Sequence, residues 1–226
     1  MTGFIIACVF AFSPPPQYAQ VFGSDYTAAL SFYGTRKPEC KALANQYGQD
    51  AEVMTAVVFP EWIRYAYFSD FFETEALSLV YTEYGASAAD FSVGYCQMKP
   101  SFVEKIEAEL EKNVGLKEKY KALLTTGEIV ERRKQRLANL GSFLMQWTYL
   151  CCFMEITEAH FPFITAFSPE EKIRFCATVY NSGWGKSRET LEKQMTVASY
   201  PYGSRFPESI QYRYCEISVD FWKNKD

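Results

Sequence analysis

The sequence has a single histidine, His160, among 226 residues, and this scarcity excludes several kinds of catalytic site. A histidine-dependent triad needs an imidazole beside its nucleophile, and histidine-rich metal sites need several such ligands. No two of the seven cysteines have the Cys-x-x-Cys spacing of zinc or thioredoxin-type sites. We therefore expect no metal site and no cofactor, and we expect His160, which follows a long helical pattern, to be structural.

Excess charge and long apolar runs are also missing. The net charge is −4, so no basic field favours nucleic acid or an acidic membrane as a partner, and an anionic polymer would need local recognition. The apolar runs at residues 4–12 and 143–154 are too short for a transmembrane helix, which needs about 20 residues. Apolar residues nevertheless make up 48% of the chain, which indicates one well-packed globular domain.

The apolar run at residues 4–12 is typical of the core of a secretory signal peptide. Pro14 to Pro16 end this run and Ala19 offers a cleavage site, so we expect a signal over residues 1–19 and one domain over 20–226. Against this, no basic residue precedes the run, and Gln17-Tyr18-Ala19 is a poor cleavage sequence. Export would allow disulfides among the six cysteines other than Cys8, with a connectivity that cannot be read.

Helical signals dominate the rest of the chain, so we predict a mainly α protein. Residues 128–159 are predicted to form the longest and central helix, because apolar residues recur there at steps of three and four. These residues are Leu137, Leu140, Leu144, Trp147, Cys151 and Met154. Cys151, Cys152 and Cys176 lie in such apolar helical patterns and are expected to be core thiols.

Other helix starts are marked by capping residues. We expect residues 20–35 to be a connector, 37–47 a surface helix and Asp50 the cap of the next helix, which Pro60 kinks or ends. Capping boxes are predicted at Asp70-x-x-Glu73 and Ser101-x-x-Glu104, the first opening a helix with an apolar face of Leu77, Val80 and Tyr84. Ser168-Pro169-Glu170-Glu171 should start the helix that ends at Tyr180-Asn181-Ser182-Gly183.

Three motifs follow one another in a set order. The apolar run from Val53 to Phe59 leads into Glu61, and a carboxyl that is partly dehydrated in this way has a raised pKa, as a glycosidic general acid requires. The second motif is Gly94-Tyr-Cys-Gln-Met-Lys-Pro100, and the third is Val179-Tyr-Asn-Ser-Gly183. In this order they resemble the lytic transglycosylases and goose-type lysozymes, over about residues 51 to 186.

The resemblance implies a lysozyme-like single domain that cleaves the β-1,4 bond between N-acetylmuramic acid and N-acetylglucosamine. It implies Glu61 as the catalytic acid, peptidoglycan glycan strands as the partner, and a periplasmic or cell-envelope location. The substrate contacts that it implies are Ser92, Gly94, Tyr95, Gln97, Tyr180 and Asn181. Water attacks in the lysozyme branch, whereas the muramyl 6-hydroxyl attacks in the lytic branch and leaves a 1,6-anhydro end.

Departures from the family pattern keep alternatives open. Trp62 stands where the family has Ser, Pro60 precedes Glu61, and Glu61 lies 33 residues before Gly94, a longer distance than the family pattern has. Glu73, Glu75 and Glu83 lie nearer the second motif, and Glu75 is the serious rival. Glu61 could also simply face solvent or pair with Arg64, in a non-catalytic wall-binding or scaffold protein of the same shape.

Gly94 and Gln97 also have a structural interpretation. Glycine lets a backbone approach a sugar closely, and an amide can both donate to and accept from acetamido groups. The same residues would serve equally well in a tight turn whose glutamine satisfies the loop backbone. Similarly, Tyr180 and Asn181 could be a packed ring and a helix cap.

Overall fold

The computed structural model describes residues 17–67, 71–203 and 207–225, which fold almost entirely into helices. The predicted mainly α class is confirmed, because the described residues contain no β-strand beyond two isolated bridges. Ten α-helices follow one another in this part of the chain: α1 (Tyr18–Gln46), α2 (Ala51–Tyr67), α3 (Phe71–Tyr84), α4 (Pro100–Lys112), α5 (Val114–Lys119), α6 (Ile129–Gly141), α7 (Phe143–His160), α8 (Pro169–Ser182), α9 (Arg188–Gln194) and α10 (Tyr214–Asn224). None of them is long and apolar enough to cross a membrane.

The predicted helix over residues 128–159 is in fact two helices, α6 and α7. The chain breaks at Ser142, which is extended (φ −98°, ψ 121°) and accepts a hydrogen bond from the backbone N–H of Met145 as the cap of α7. The break changes the direction of the apolar stripe, so Leu144 is 50% exposed. The prediction of a buried central helix holds for α7, in which every residue from Gln146 to Met154 is buried.

The predicted connector at residues 20–35 is wrong, because these residues belong to α1. Buried residues recur along this helix at helical spacing: Tyr26, Ala29, Tyr33, Cys40 and Ala44. Tyrosine and phenylalanine are only moderate helix formers, which obscured the pattern in the sequence. Residues 1–16 of the predicted signal lie outside the described residues, and its proposed cleavage site, Ala19, lies in the first turn of α1.

Two of the predicted caps are confirmed. Asp50 accepts hydrogen bonds from the backbone N–H groups of Glu52 (2.8 Å) and Val53 (3.2 Å) at the start of α2. Ser168 and Glu171 form a reciprocal capping box at the start of α8. The helix ends, as predicted, at Gly183, whose φ of 88° is disfavoured for residues with a side chain.

The predicted Ser101–Glu104 capping box is wrong, because a residue from outside the helix takes its place. Asp90 accepts hydrogen bonds from the backbone N–H (3.0 Å) and the hydroxyl (2.8 Å) of Ser101. Glu104 instead accepts a hydrogen bond from the Tyr81 hydroxyl at 2.9 Å. The other predicted box falls on Asp70 and on the side chain of Glu73, which lie outside the described part of the chain.

The predicted apolar face of α3 is also wrong. Val80 is exposed and Tyr84 is 71% exposed, whereas Tyr81 is fully buried. Tyr81 points inward because its hydroxyl reaches Glu104 on α4, a partner that periodicity within α3 does not reveal. The predicted end of this helix is confirmed, since α3 stops at Tyr84 and Gly85 follows with a φ of 84°.

The six described cysteines are all buried and unpaired. Cys151, Cys152 and Cys176 lie in the core, as predicted. Burial raises the pKa of the Cys40, Cys151 and Cys176 thiols to about 12. These thiols therefore stay neutral near physiological pH and act as small apolar side chains.

Candidate active site

Glu61 lies within α2 rather than at its end. The predicted stop at Pro60 is wrong, because the helix continues to Tyr67 with Pro60 inside it. Every residue from Val53 to Ile63 is buried, since α1, α8 and α10 surround this helix. Glu61 is therefore only 4% exposed, in a helix that is apolar on nearly all sides.

A small hollow of about 130 Å³ opens at Glu61. Three segments that are distant in the sequence form its walls: α2, the connector before α4 together with the first turn of α4, and the end of α8. The residues that line it are Glu61, Arg64, Ser92, Gln97, Met98, Lys99, Phe102, Tyr180 and Asn181. Five of the seven residues singled out from the sequence thus meet in one place, and Gly94 and Tyr95 lie outside the lining.

A tight hairpin brings Gln97 to the hollow. Val93 and Met98 pair through both backbone hydrogen bonds (2.9 and 3.2 Å), and the four residues between them form the turn. Gly94 (φ 66°) and Gln97 (φ 48°) are both left-handed, and the Gln97 amide donates to the Gly94 carbonyl at 2.8 Å. The tight-turn interpretation therefore describes this segment, although Gln97 also faces the hollow.

Gly94 meets the protein core rather than the hollow. A Cβ at this position would lie 1.9 Å from the Gln146 side-chain nitrogen and 2.9 Å from the Leu140 carbonyl oxygen. The close approach that requires glycine here is thus made by α7 and the end of α6.

Gln146 is a positioning residue that the sequence interpretation missed. Its amide oxygen accepts from the backbone N–H of Cys96 (2.8 Å), and its amide nitrogen donates to the carbonyls of Val93 (2.9 Å) and Leu140. Gln146 is 1% exposed, so these contacts hold the hairpin on α7. A glutamine inside the uncharged run of residues 143–154 was the available signal, because a buried amide needs partners.

Tyr95 and Tyr180 pack differently from one another. The Tyr95 ring stacks on Phe32, with centroids 4.2 Å apart, and also contacts Tyr65. The Tyr180 hydroxyl donates to the Cys96 carbonyl at 2.7 Å, so this side chain ties α8 to the hairpin. Asn181 is exposed at the rim of the hollow.

The carboxylate of Glu61 has a cationic partner one turn further along α2. Arg64 Nη1 donates to its two oxygens at 2.9 and 3.2 Å. The Arg64 guanidinium also lies 4.9 Å from the centre of the Tyr200 ring and donates to the Pro201 carbonyl at 3.4 Å. The pairing of Glu61 with Arg64 that the sequence allowed is therefore present, in a buried setting rather than at the surface.

Burial and charge oppose each other at Glu61. Burial raises the pKa of its carboxyl, whereas the Arg64 charge, hydrogen bonds from Tyr214 and Arg64, and the Lys99 charge lower it. The loss of hydration is the larger effect, so the pKa lies above its usual value of about 4.3. This direction matches the requirement for a general acid.

The rival carboxylates lie elsewhere. Glu75 and Glu83 are exposed on α3, and neither lines the hollow. Within the described part of the chain, Glu61 is the only acidic residue of the lining, and no group of three or more His, Cys, Asp or Glu side chains is placed to hold a metal ion. His160 pairs with Glu109 at 3.6 Å, outside this lining.

Three larger hollows share residues with the one at Glu61, and two of them share two residues each. The first, about 440 Å³, shares Phe102 and Tyr180 with it and is also lined by Trp184. The second, about 470 Å³, shares Arg64 and Asn181 with it. We name these the aromatic hollow and the polar hollow, and together with the central hollow they follow the C-terminal end of α8.

The chain matches no protein-family model, no curated protein and no solved structure. Among the described residues that line the central hollow, Glu61 is the one carboxylic acid.

The raised pKa of Glu61 predicts a pH-dependent stability difference between the protein and its Glu61→Gln variant. Between the unfolded pKa and the higher folded pKa, the folded state binds more protons, so its stability falls as pH rises. Glutamine does not titrate. The melting temperature of the protein minus that of Glu61→Gln should therefore decrease as pH rises from about 4, and then level off.

Melting curves by circular dichroism over a pH series give this difference. An increase with pH would contradict the prediction, because it would mean that the Arg64 ion pair outweighs burial and lowers the pKa of Glu61.

Proposed function

We propose that this protein is a peptidoglycan-cleaving lytic transglycosylase with a lysozyme-like fold, acting on the β-1,4 bond between N-acetylmuramic acid and N-acetylglucosamine. The observation that carries the proposal is the meeting of Glu61, Gln97 and Tyr180 at one hollow, since they come from three separate motifs. The proposal implies export to the periplasm or cell envelope, where the polymer lies, and requires no cofactor.

The arrangement of the hollows suits a polymer. The central hollow of about 130 Å³ is smaller than usual ligand pockets, whereas its neighbours of about 440 and 470 Å³ fall within the usual range of about 300–1,000 Å³. An acid between two larger hollows fits a chain that continues on both sides of the bond to be cleaved.

The aromatic hollow supports sugar binding on one side. Phe102, Tyr180 and Trp184 line this hollow, and the Phe102 ring contacts those of Tyr180 and Trp184 at centroid distances of 5.5 and 5.7 Å. Aromatic surface packs well against the C–H faces of sugars, while the Gln97 amide in the central hollow offers both a donor and an acceptor.

In the proposed reaction, Glu61 acts first as acid and then as base. Protonated Glu61 gives its proton to the glycosidic oxygen as the bond from that oxygen to the muramyl C1 breaks. The carboxylate then takes the proton of the muramyl 6-hydroxyl, whose oxygen bonds to C1 and closes the 1,6-anhydro ring. Arg64, at 2.9 Å, stabilises the carboxylate between these steps.

A single carboxylate is sufficient for this route. Glycosidases that hydrolyse usually use two carboxyl groups, the second acting as nucleophile or as base for water. The described lining of the central hollow has Glu61 alone, which supports the lytic route over a hydrolytic muramidase.

One contact favours a different function. The Arg64 ion pair favours the charged form of Glu61, and a carboxylate held in that form cannot donate a proton. A non-catalytic wall-binding or scaffold protein would tolerate this pair without consequence, so it is the second candidate.

Products released from purified peptidoglycan should distinguish these functions. We expect soluble muropeptides whose mass is one water lower than that of the hydrolytic products, because the 1,6-anhydro ring forms without water. Mass spectrometry after incubation over a range of pH gives the answer. Reducing ends would indicate a muramidase, and binding without release would indicate the wall-binding alternative.

A further inference from the structure

We propose that the polar hollow binds a carboxylate-bearing peptide branch of the glycan strand next to the bond at Glu61. This inference rests on the proposed function, because it assigns a part of the same substrate. The hollow, of about 470 Å³, is lined mainly by polar residues, among them Arg64, Asn181, Ser182, Lys186, Gln194 and Ser199.

The charge of this hollow differs from that of the whole chain. Its described lining has two cationic side chains, Arg64 and Lys186, and no acidic one, although the net charge of the protein is −4. Because Arg64 also contacts Glu61 at 2.9 Å, an anion bound here would lie close to the catalytic position. A local cationic site of this kind gives an anionic substrate the recognition that the overall charge does not supply.

Hydrogen-bond donors of the polar hollow are available to bind a ligand. Lys186 makes no ion pair or hydrogen bond with the described residues, and its side chain is only partly exposed. Gln194 uses its amide oxygen to accept from the Ser182 hydroxyl at 3.5 Å, which leaves its amide N–H groups for a ligand. Ammonium and amide donors together match the oxygens of a carboxylate.

A peptide branch fits this hollow better than a sugar ring does. The described lining of the aromatic hollow has three ring side chains and, beside Lys105 and Lys112, an acidic one, Glu109, which pairs with Lys112 at 2.8 Å. In the described lining of the polar hollow Tyr202 supplies the only aromatic ring, and most of the other residues are polar or charged. The two sides of Glu61 therefore differ chemically, which would orient the strand across the acid.

The test compares two soluble probes, a disaccharide–peptide and the same molecule with its carboxyl groups amidated. Neither contains a bond of the type that is cleaved. Isothermal titration calorimetry should show tighter binding of the acidic form. In the Lys186→Gln variant we expect its affinity to fall about tenfold, which is about 1.4 kcal/mol, because the glutamine amide cannot supply the charge of the ammonium group. Added salt should weaken binding of the acidic form to the unchanged protein.

Lys134→Gln is the matched control, because Lys134 is an exposed lysine on α6 that lines none of the three hollows. Affinity should stay unchanged in this variant. Equal binding of the acidic and amidated forms, no binding of either form, or an equal loss in both lysine variants would overturn the proposal.

The proposed function is tested separately by release from peptidoglycan. Release together with equal binding of both probes would leave the enzyme intact and reject the branch site. Selective binding that is lost in Lys186→Gln, without any release, would keep the branch site in a wall-binding protein and reject the enzyme.

Discussion

Replacing Glu61 with glutamine should lower the release of muropeptides from peptidoglycan by about 10²- to 10⁴-fold, the usual contribution of general acid–base catalysis. Glutamine keeps the size of the side chain and can still accept hydrogen bonds from Arg64, but it cannot donate a proton to the leaving oxygen. The site should tolerate this change, because the Arg64 side chain that loses its anionic partner is 23% exposed to water and keeps its hydrogen bond to the Pro201 carbonyl. Circular dichroism should show a folded helical protein.

Glu75→Gln is the matched control for this variant. It makes the same substitution at an exposed carboxylate on α3, outside the lining of the central hollow, so release should stay close to that of the unchanged protein. Loss of release in Glu75→Gln with near-normal release in Glu61→Gln would move the active site to α3. If the unchanged protein released nothing over a broad pH range, the wall-binding alternative would be preferred.

Gly94→Ala should destabilise the protein by about 2–4 kcal/mol. A residue with a Cβ costs of order 1 kcal/mol or more in the left-handed conformation that Gly94 adopts at φ 66°. The new Cβ would also lie 1.9 Å from Gln146 and 2.9 Å from the Leu140 carbonyl, and overpacking of this kind typically costs about 1–3 kcal/mol. Release should fall as well, because the same hairpin carries Gln97.

Gly34→Ala provides the control with the opposite sign. Gly34 lies within α1, and a Cβ there would meet no atom within 4 Å. Alanine should therefore stabilise the protein by about 0.5–1 kcal/mol, the usual difference between the two residues inside a helix. Urea denaturation of both variants gives the free energies of unfolding. Equal effects of the same sign would mean that the clash with Gln146 does not decide the stability of Gly94→Ala.

Local signals predicted much of the helical structure. Asp50 and the Ser168–Glu171 box start their helices as expected, and Gly85 and Gly183 end theirs. These signals were readable because a cap satisfies backbone groups within about one turn of itself, so a few adjacent residues contain the whole interaction.

Features that depend on packing between helices were predicted less well from the sequence. The buried face of α3 is set by the contact between Tyr81 and Glu104, and α4 is capped by Asp90 rather than by its own residues. In these helices more than one face carries apolar side chains, and more than one residue could cap the helix. The sequence therefore allows more than one choice of buried face and of cap. The neighbour that is present in three dimensions decides between them.

Sequence patterns alone were enough to predict the helical class and to single out a carboxyl that follows an apolar run. The burial of Glu61, the role of Gln146 in holding the hairpin, and the meeting of Gln97 with Tyr180 at one hollow became visible only in the folded protein. These features join residues that are far apart along the chain. The hydration of the Glu61 carboxyl and the walls of the central hollow both depend on how α1, α8 and α10 close around α2. No local sequence pattern encodes which residues will meet there.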